Sequence, residues 1–184
     1  MNEAPNLQGD SDGTLVGRIV NGDRDAATAI IRRHQRALLA FLRRVAPHSA
    51  DDLFQETWIR AIRSAPSFDP TYPFPPWIFR IAWNLVRSDW RRREAAGELG
   101  DPSNTPSGAE GADDDLLARE RDWRVRLLMR ELPPQLAQAL FLRYFEELSE
   151  KEMAERLGVP KGTIKSRLHH ALRKLGPAVR KEFL

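Results

Sequence analysis

Residues Glu94–Asp115 decide the architecture before any helix is considered. This run holds seven acids, four glycines and two prolines in 22 positions, with no apolar periodicity. A segment of that composition buries too little surface to offset the entropy lost on folding. A structureless loop this long is also uncommon inside a compact domain. It reads as a flexible acidic linker. The 184 residues are therefore expected to form two small domains, not one. A loose tail covers 1–13, a first domain 14–93, the linker 94–115 and a second domain 116–184.

Charge follows the same division. Residues 1–93 carry 14 basic and 10 acidic groups, residues 94–122 carry 2 and 9, and residues 123–184 carry 13 and 7. The blocks are thus +4, −7 and +6, and the net charge of +3 is what survives their cancellation. Two basic blocks point to polyanionic partners. There is no cysteine, which excludes a disulfide framework, a thiolate zinc site and a cysteine nucleophile. The longest apolar run, Ala37–Leu42, falls far short of the ~20 residues of a membrane span. No basic-then-apolar leader opens the chain, so a soluble, cytoplasmic protein without membrane insertion is expected.

Helical periodicity dominates both flanks and no alternating strand pattern appears, so the fold class expected is all-α. Asp23 can cap a helix whose Ala27, Ile30, Ile31, His34, Leu38, Phe41, Leu42 and Val45 recur at three- and four-residue steps. Pro47 ends it. Ser49 and Asp52 resemble a capping box before a helix with Phe54, Trp58, Ala61 and Ile62 on its inner side. Opposite them, Asp52, Gln55, Glu56 and Ile59 form a mixed acidic and apolar patch, suited to a protein partner rather than to phosphates. Four prolines in Ser67–Pro76 exclude a helix there, and the next helix is expected from about Trp77 to Arg93. Its core stripe is Ile78, Ile81, Ala82 and Leu85. Beside it, Phe79, Trp83 and Trp90 interleave with Arg80, Asn84, Arg87 and Arg91–Arg93, a pattern suited to stacking unpaired bases and holding their backbone. The stiff 67–76 loop could wall a pocket for a flipped base.

The second domain carries the most specific local signal, a helix-turn-helix. Ser149 and Glu152 form a capping box before Met153–Leu157, Gly158 supplies a tight turn, and Pro160 stands where a second helix begins. Beyond it, Ile164, Leu168, Ala171, Leu172 and Leu175 make one apolar face. Lys161, Lys165, Ser166, Arg167, His169, His170 and Arg173 make the other, as a helix reading the major groove requires. The adjacent histidines diverge around the helix, so no metal site is assigned.

Taken in order, Asp51–Trp58, Trp77–Asn84, Leu132-Pro-Pro-Gln-Leu136 and Gly162–Leu168 resemble the extracytoplasmic-function (ECF) sigma factors of bacterial RNA polymerase. The resemblance implies a non-enzymatic initiation subunit without cofactor. Its Asp52, Gln55, Glu56 and Ile59 face would bind the clamp helices of the largest core polymerase subunit. Arg80, Trp83, Asn84 and Arg87, with the 67–76 loop, would read and melt the promoter minus-ten element. Lys161, Lys165, Ser166, Arg167, His169, His170 and Arg173 would hold the minus-thirty-five element as duplex. An anti-sigma factor is implied as a further partner. Two features depart from the family pattern: Trp83 is bulkier than the residue expected beside the base-reading Asn84, and the loop is unusually rich in proline. The rivals from other classes are a free-standing helix-turn-helix regulator and an RNA-processing or nuclease-like enzyme. The latter would need carboxylates clustered in a basic cleft, whereas the densest acids lie in the linker.

As a free coil the 22-residue linker spans only ~25–30 Å, but fully stretched it reaches ~75 Å. Promoter elements more than two helical turns apart, at ~34–36 Å per turn, require the stretched form. The acidic linker is therefore expected to thread a basic channel of core polymerase as a nucleic-acid mimic. Replacing its acids with lysine should weaken holoenzyme assembly or initiation. Unchanged transcription in vitro would contradict this.

Overall fold

The computed structural model describes residues 9–97, 128–144 and 146–175, and every regular element among them is helical. Local chemistry explains most boundaries. Ser11 caps α1 (Asp12–Val20) by accepting the Thr14 N–H, so α1 begins inside the segment expected to be tail. Asp23 caps α2 (Arg24–Val45), its carboxylate accepting the N–H groups of Asp25 and Ala26. Pro47 opens a single 3₁₀ turn, and α3 spans Ala50–Ser64.

Further boundaries also differ from expectation. The expected capping box at Ser49 is absent: the Ser49 hydroxyl donates instead to Asp89 Oδ2 at 3.1 Å, 40 residues away. Asp89 is buried and also paired with Arg92, so it draws the hydroxyl out of the cap and ties the start of α3 to α4. Helix α4 (Phe74–Ala95) begins three residues before Trp77, because Pro75 and Pro76 occupy its first turn. There a missing N–H costs no hydrogen bond and the fixed φ suits a helix. At its other end α4 runs two residues into the segment expected as linker. From residue 98 on, that segment lies outside the described residues.

Helices α1 to α4 pack in sequence, α1 on α2, α2 on α3 and α3 on α4. The C-terminal helices α5 (Pro134–Tyr144), α6 (Glu150–Leu157) and α7 (Lys161–Leu175) form a second unit, in which α7 packs on both α5 and α6. The two units do not stand apart. Helix α5 lies against α4, and one continuous apolar core runs from Leu15 to Ala171.

Asp12 fastens α1 onto α2. Its carboxylate accepts from Arg33 Nη1 at 2.7 Å and His34 Nε2 at 2.9 Å. Burial works to raise its pKa, but the His34 and Arg33 hydrogen bonds outweigh that and hold it below its ordinary value. A carboxyl with a depressed folded pKa stabilises fully above its unfolded value, near 3.8, and loses that contribution as pH falls through the folded value. Asp12→Asn should cost about 1 kcal/mol at neutral pH and progressively less in strong acid. Urea midpoints across that range check it; a pH-independent difference would contradict it.

Candidate nucleic-acid interface

The α3 patch is where the helical phase puts it. Leu53, Thr57, Trp58 and Ala61 are buried. Asp52, Gln55 and Ile59 are exposed, and Glu56 is half-buried and bound to Arg60 at 2.6 Å. Ile62, expected on the inner side, is instead 41% exposed. It stands three residues after Ile59 and shares that residue's face, while Ala61 takes the inward position. The patch therefore grades from acidic at the start of α3 to apolar at its end.

On α4, Arg80 and Asn84 are exposed and Arg87 is half-buried. The aromatic stripe beside them is not available to bases. Phe79 and Trp90 are buried and Trp83 has no exposed surface. This corrects the assignment of Trp83 as a DNA contact in this arrangement. Its indole Nε1 donates to the Leu132 carbonyl at 3.3 Å, and its ring lies against Phe79, Phe41 and Trp90. Phe141 of α5 meets Phe41 edge-on at 4.8 Å, and the Arg130 guanidinium stands 5.9 Å over Trp90. The side chain that looked too bulky for its place beside Asn84 is the centre of the seam between the two units.

The helix-turn-helix is built as its sequence implies. Ser149 Oγ accepts the Glu152 N–H while Glu152 accepts the Ser149 N–H at 2.8 Å. Hydrogen bonding from the Ser149 side chain and backbone holds the Glu152 carboxyl below its usual pKa. Gly158 turns the chain at φ +62°, in the left-handed region that disfavours a Cβ. Helix α7 buries Ile164 and Ala171 and half-buries Leu168, Leu172 and Leu175. Lys165, Ser166, His169, His170 and Arg173 are exposed together, with Arg173 bound to His170 Nδ1 at 3.3 Å. Lys161 is exposed at the start of α7, 3.7 Å from Glu150.

Arg167 departs from its expected outward position. It is half-buried, and its Nη1 is buried without a hydrogen-bond partner among the described residues. Desolvation pulls its pKa below the ordinary arginine value. It lines an open cleft of about 440 Å³ between the proline loop and the helix-turn-helix. Phe68, Tyr72, Trp77 and Arg80 wall one side, and Gln138 and Val159 join Arg167 on the other. Asp69 also lines it, its carboxylate already accepting from the Thr71 hydroxyl and N–H at 2.7 and 2.9 Å. Tyr72 is 67% exposed and was not singled out from the sequence. The available signal was an aromatic residue inside a loop that its prolines keep from becoming helical.

Family models for sigma-70 region 2 and sigma-70 region 4 match residues 30–96 and 122–175. The ECF RNA polymerase sigma factor SigW of Bacillus subtilis is 30% identical over 174 residues, covering 86% of this chain and 93% of that protein. The chain belongs to the ECF sigma factors. The ECF RNA polymerase sigma-E factor of Haemophilus influenzae is 32% identical over 88% of this chain and 91% of its own. Among solved structures, CnrH in complex with the cytosolic domain of CnrY superposes with a TM-score of 0.52 and 26% identity, over 90% of this chain and 95% of that one. The region 2 match ends one residue beyond α4, and the region 4 match ends with α7. The seam of Trp83, Leu132 and Phe141 is thus a contact between the two sigma regions.

Removing the region 4 cap should loosen the helix-turn-helix. Ser149→Ala is expected to cost about 1 kcal/mol. Faster amide exchange over Glu150–Leu157, with α2 unchanged, is the measurement; equal exchange in both proteins would contradict it.

Proposed function

We propose that this chain is the promoter-recognition subunit of an RNA polymerase holoenzyme, which directs core polymerase to its promoters and opens the minus-ten element. The observation that carries this is the ordered presence of both sigma regions, each with its polar reading residues at the surface. The exposed Arg80 and Asn84 lie beside the aromatic wall of Phe68, Tyr72 and Trp77, a suitable receptacle for an unpaired base. The exposed cationic and polar face of α7 fits phosphates and base edges of duplex DNA. The graded face of Asp52, Gln55, Glu56 and Ile59 binds the clamp helices of the largest core subunit. Ile62 extends its apolar end.

On this reading the chain is not an enzyme, because core polymerase supplies the chemistry. It works in the cytoplasm, where polymerase and DNA are. An anti-sigma factor is its regulator, as CnrY is partnered with CnrH. The rival reading as a free-standing operator binder has no support in the sigma-70 family matches.

Run-off transcription by core polymerase and this chain on a genomic library, with start-site mapping, tests the proposal. Discrete starts that need the chain support it, and their absence overturns it. At a mapped promoter, Asn84→Ala should cost about 1–3 kcal/mol of base discrimination, read as less permanganate-reactive thymine near minus ten. Lys165→Ala should weaken duplex engagement and lower the salt slope by about 1.

A further inference from the structure

Arg167 stands apart from the polar face of its own helix. Its neighbours Lys165, Ser166 and His169 are exposed on α7, while its side chain lines the cleft over the proline loop. There its Nη1 is buried without a hydrogen-bond partner among the described residues. Asp69 is the acid in the same lining, but no ion pair joins the two, and desolvation alone acts on the guanidinium. Both Thr71 hydrogen bonds end on Asp69 Oδ1, which leaves Oδ2 open to another donor. A buried charge without a partner is costly, and in a native protein such a group calls for a bound ion or water.

The cleft around Arg167 has the walls of a small-molecule site. Its volume of about 440 Å³ lies within the ~300–1,000 Å³ usual for one. Trp77 is half-buried, its ring set by Phe68 at 5.1 Å and Phe74 at 5.5 Å. The exposed Tyr72 ring has no ring partner among the described residues and offers a second face to a planar ligand. Arg80 joins Arg167 in the lining, so two guanidinium groups outweigh one carboxylate. Gln138, buried in the same lining, can both donate and accept. Together these groups select a chemistry. An inorganic anion would leave the aromatic wall unused, and an uncharged ring would leave Arg167 unpaired. A base stacked on the wall, with a phosphate for the guanidinium and an amino or hydroxyl donor for Asp69 Oδ2, uses every one of them.

We infer that this cleft is a binding site for a free nucleoside 5′-monophosphate, with its phosphate on Arg167 and its base against Tyr72 and Trp77. The site shares its aromatic wall with the proposed base receptacle, but it needs neither polymerase nor promoter and does not rest on the sigma reading. Arg167 belongs to region 4 and the two aromatic residues to region 2, so a single ligand touches both regions.

Calorimetric titration of the full chain with 5′-AMP and with 5′-GMP tests the site. Saturable binding of at least one of them is expected, about tenfold tighter than binding of its nucleoside or of inorganic phosphate. Arg167→Gln should weaken it about tenfold. Lys174→Ala, an equal loss of charge at an exposed position of α7, should leave it unchanged. Tyr72→Ala alters an exposed ring, so it keeps the fold whether or not Arg167→Gln does, and should also weaken binding about tenfold. Absence of saturable binding overturns the site. So does equal affinity for inorganic phosphate, full affinity in Tyr72→Ala, or an equal loss in Lys174→Ala. A short single strand of DNA is titrated in parallel: strand binding without mononucleotide binding overturns the site and leaves the proposed function intact. Failure of the run-off transcription assay would sink the sigma reading and leave the nucleotide site standing.

Discussion

Burial of the Trp83 indole between α4 and the Leu132 carbonyl is the interaction on which the arrangement of the whole molecule turns. Without it α4 would present Phe79, Trp83 and Trp90 to water, an apolar aromatic stripe on a helix otherwise lined with arginine. Aromatic side chains of this size each bury roughly 150–250 Å², so leaving three of them uncovered is expensive. Region 4 supplies the cover. Helix α5 brings Phe141 onto Phe41, Arg130 caps Trp90, and the core becomes continuous across two units separated in sequence by an acidic, glycine-rich segment.

The same helix carries the residues proposed to read the minus-ten element. Arg80 and Asn84 occupy the α4 surface that region 4 leaves open, while the covered surface supports the docking. The aromatic face of α4 thus serves the fold, while its polar face stays at the surface. Docked on region 4, α4 is buried along its aromatic side. The loop's prolines serve this arrangement: Pro73 packs against the Gly158 turn, and Pro75 and Pro76 stiffen the first turn of α4.

Much of this was legible in the sequence wherever the cause is local. Asp23, the Ser149–Glu152 box and the Gly158 turn act within one helical turn, so the residue types alone announce them. The polar faces of α3 and α7 follow from the 3.6-residue period. What was not legible depends on partners distant in sequence. Ser49 has the composition of a cap, yet its hydroxyl serves Asp89. Periodicity shows that Phe79, Trp83 and Trp90 share a side of α4 but not whether bases or another helix will cover it. The cover arrives from 49 residues away, beyond a linker whose composition argues for separation. Arg167 fails for the same reason: its place on α7 suits an outward role, and only the docked α4 loop turns it inward.

The Trp83–Leu132 contact holds the two sigma regions against each other. Fluorescence energy transfer between dyes on Gln35→Cys of α2 and Lys151→Cys of α6, both exposed and outside the reading surfaces, measures this directly. The account predicts a single high-transfer population for the free chain. A low-transfer population in the free chain would contradict it.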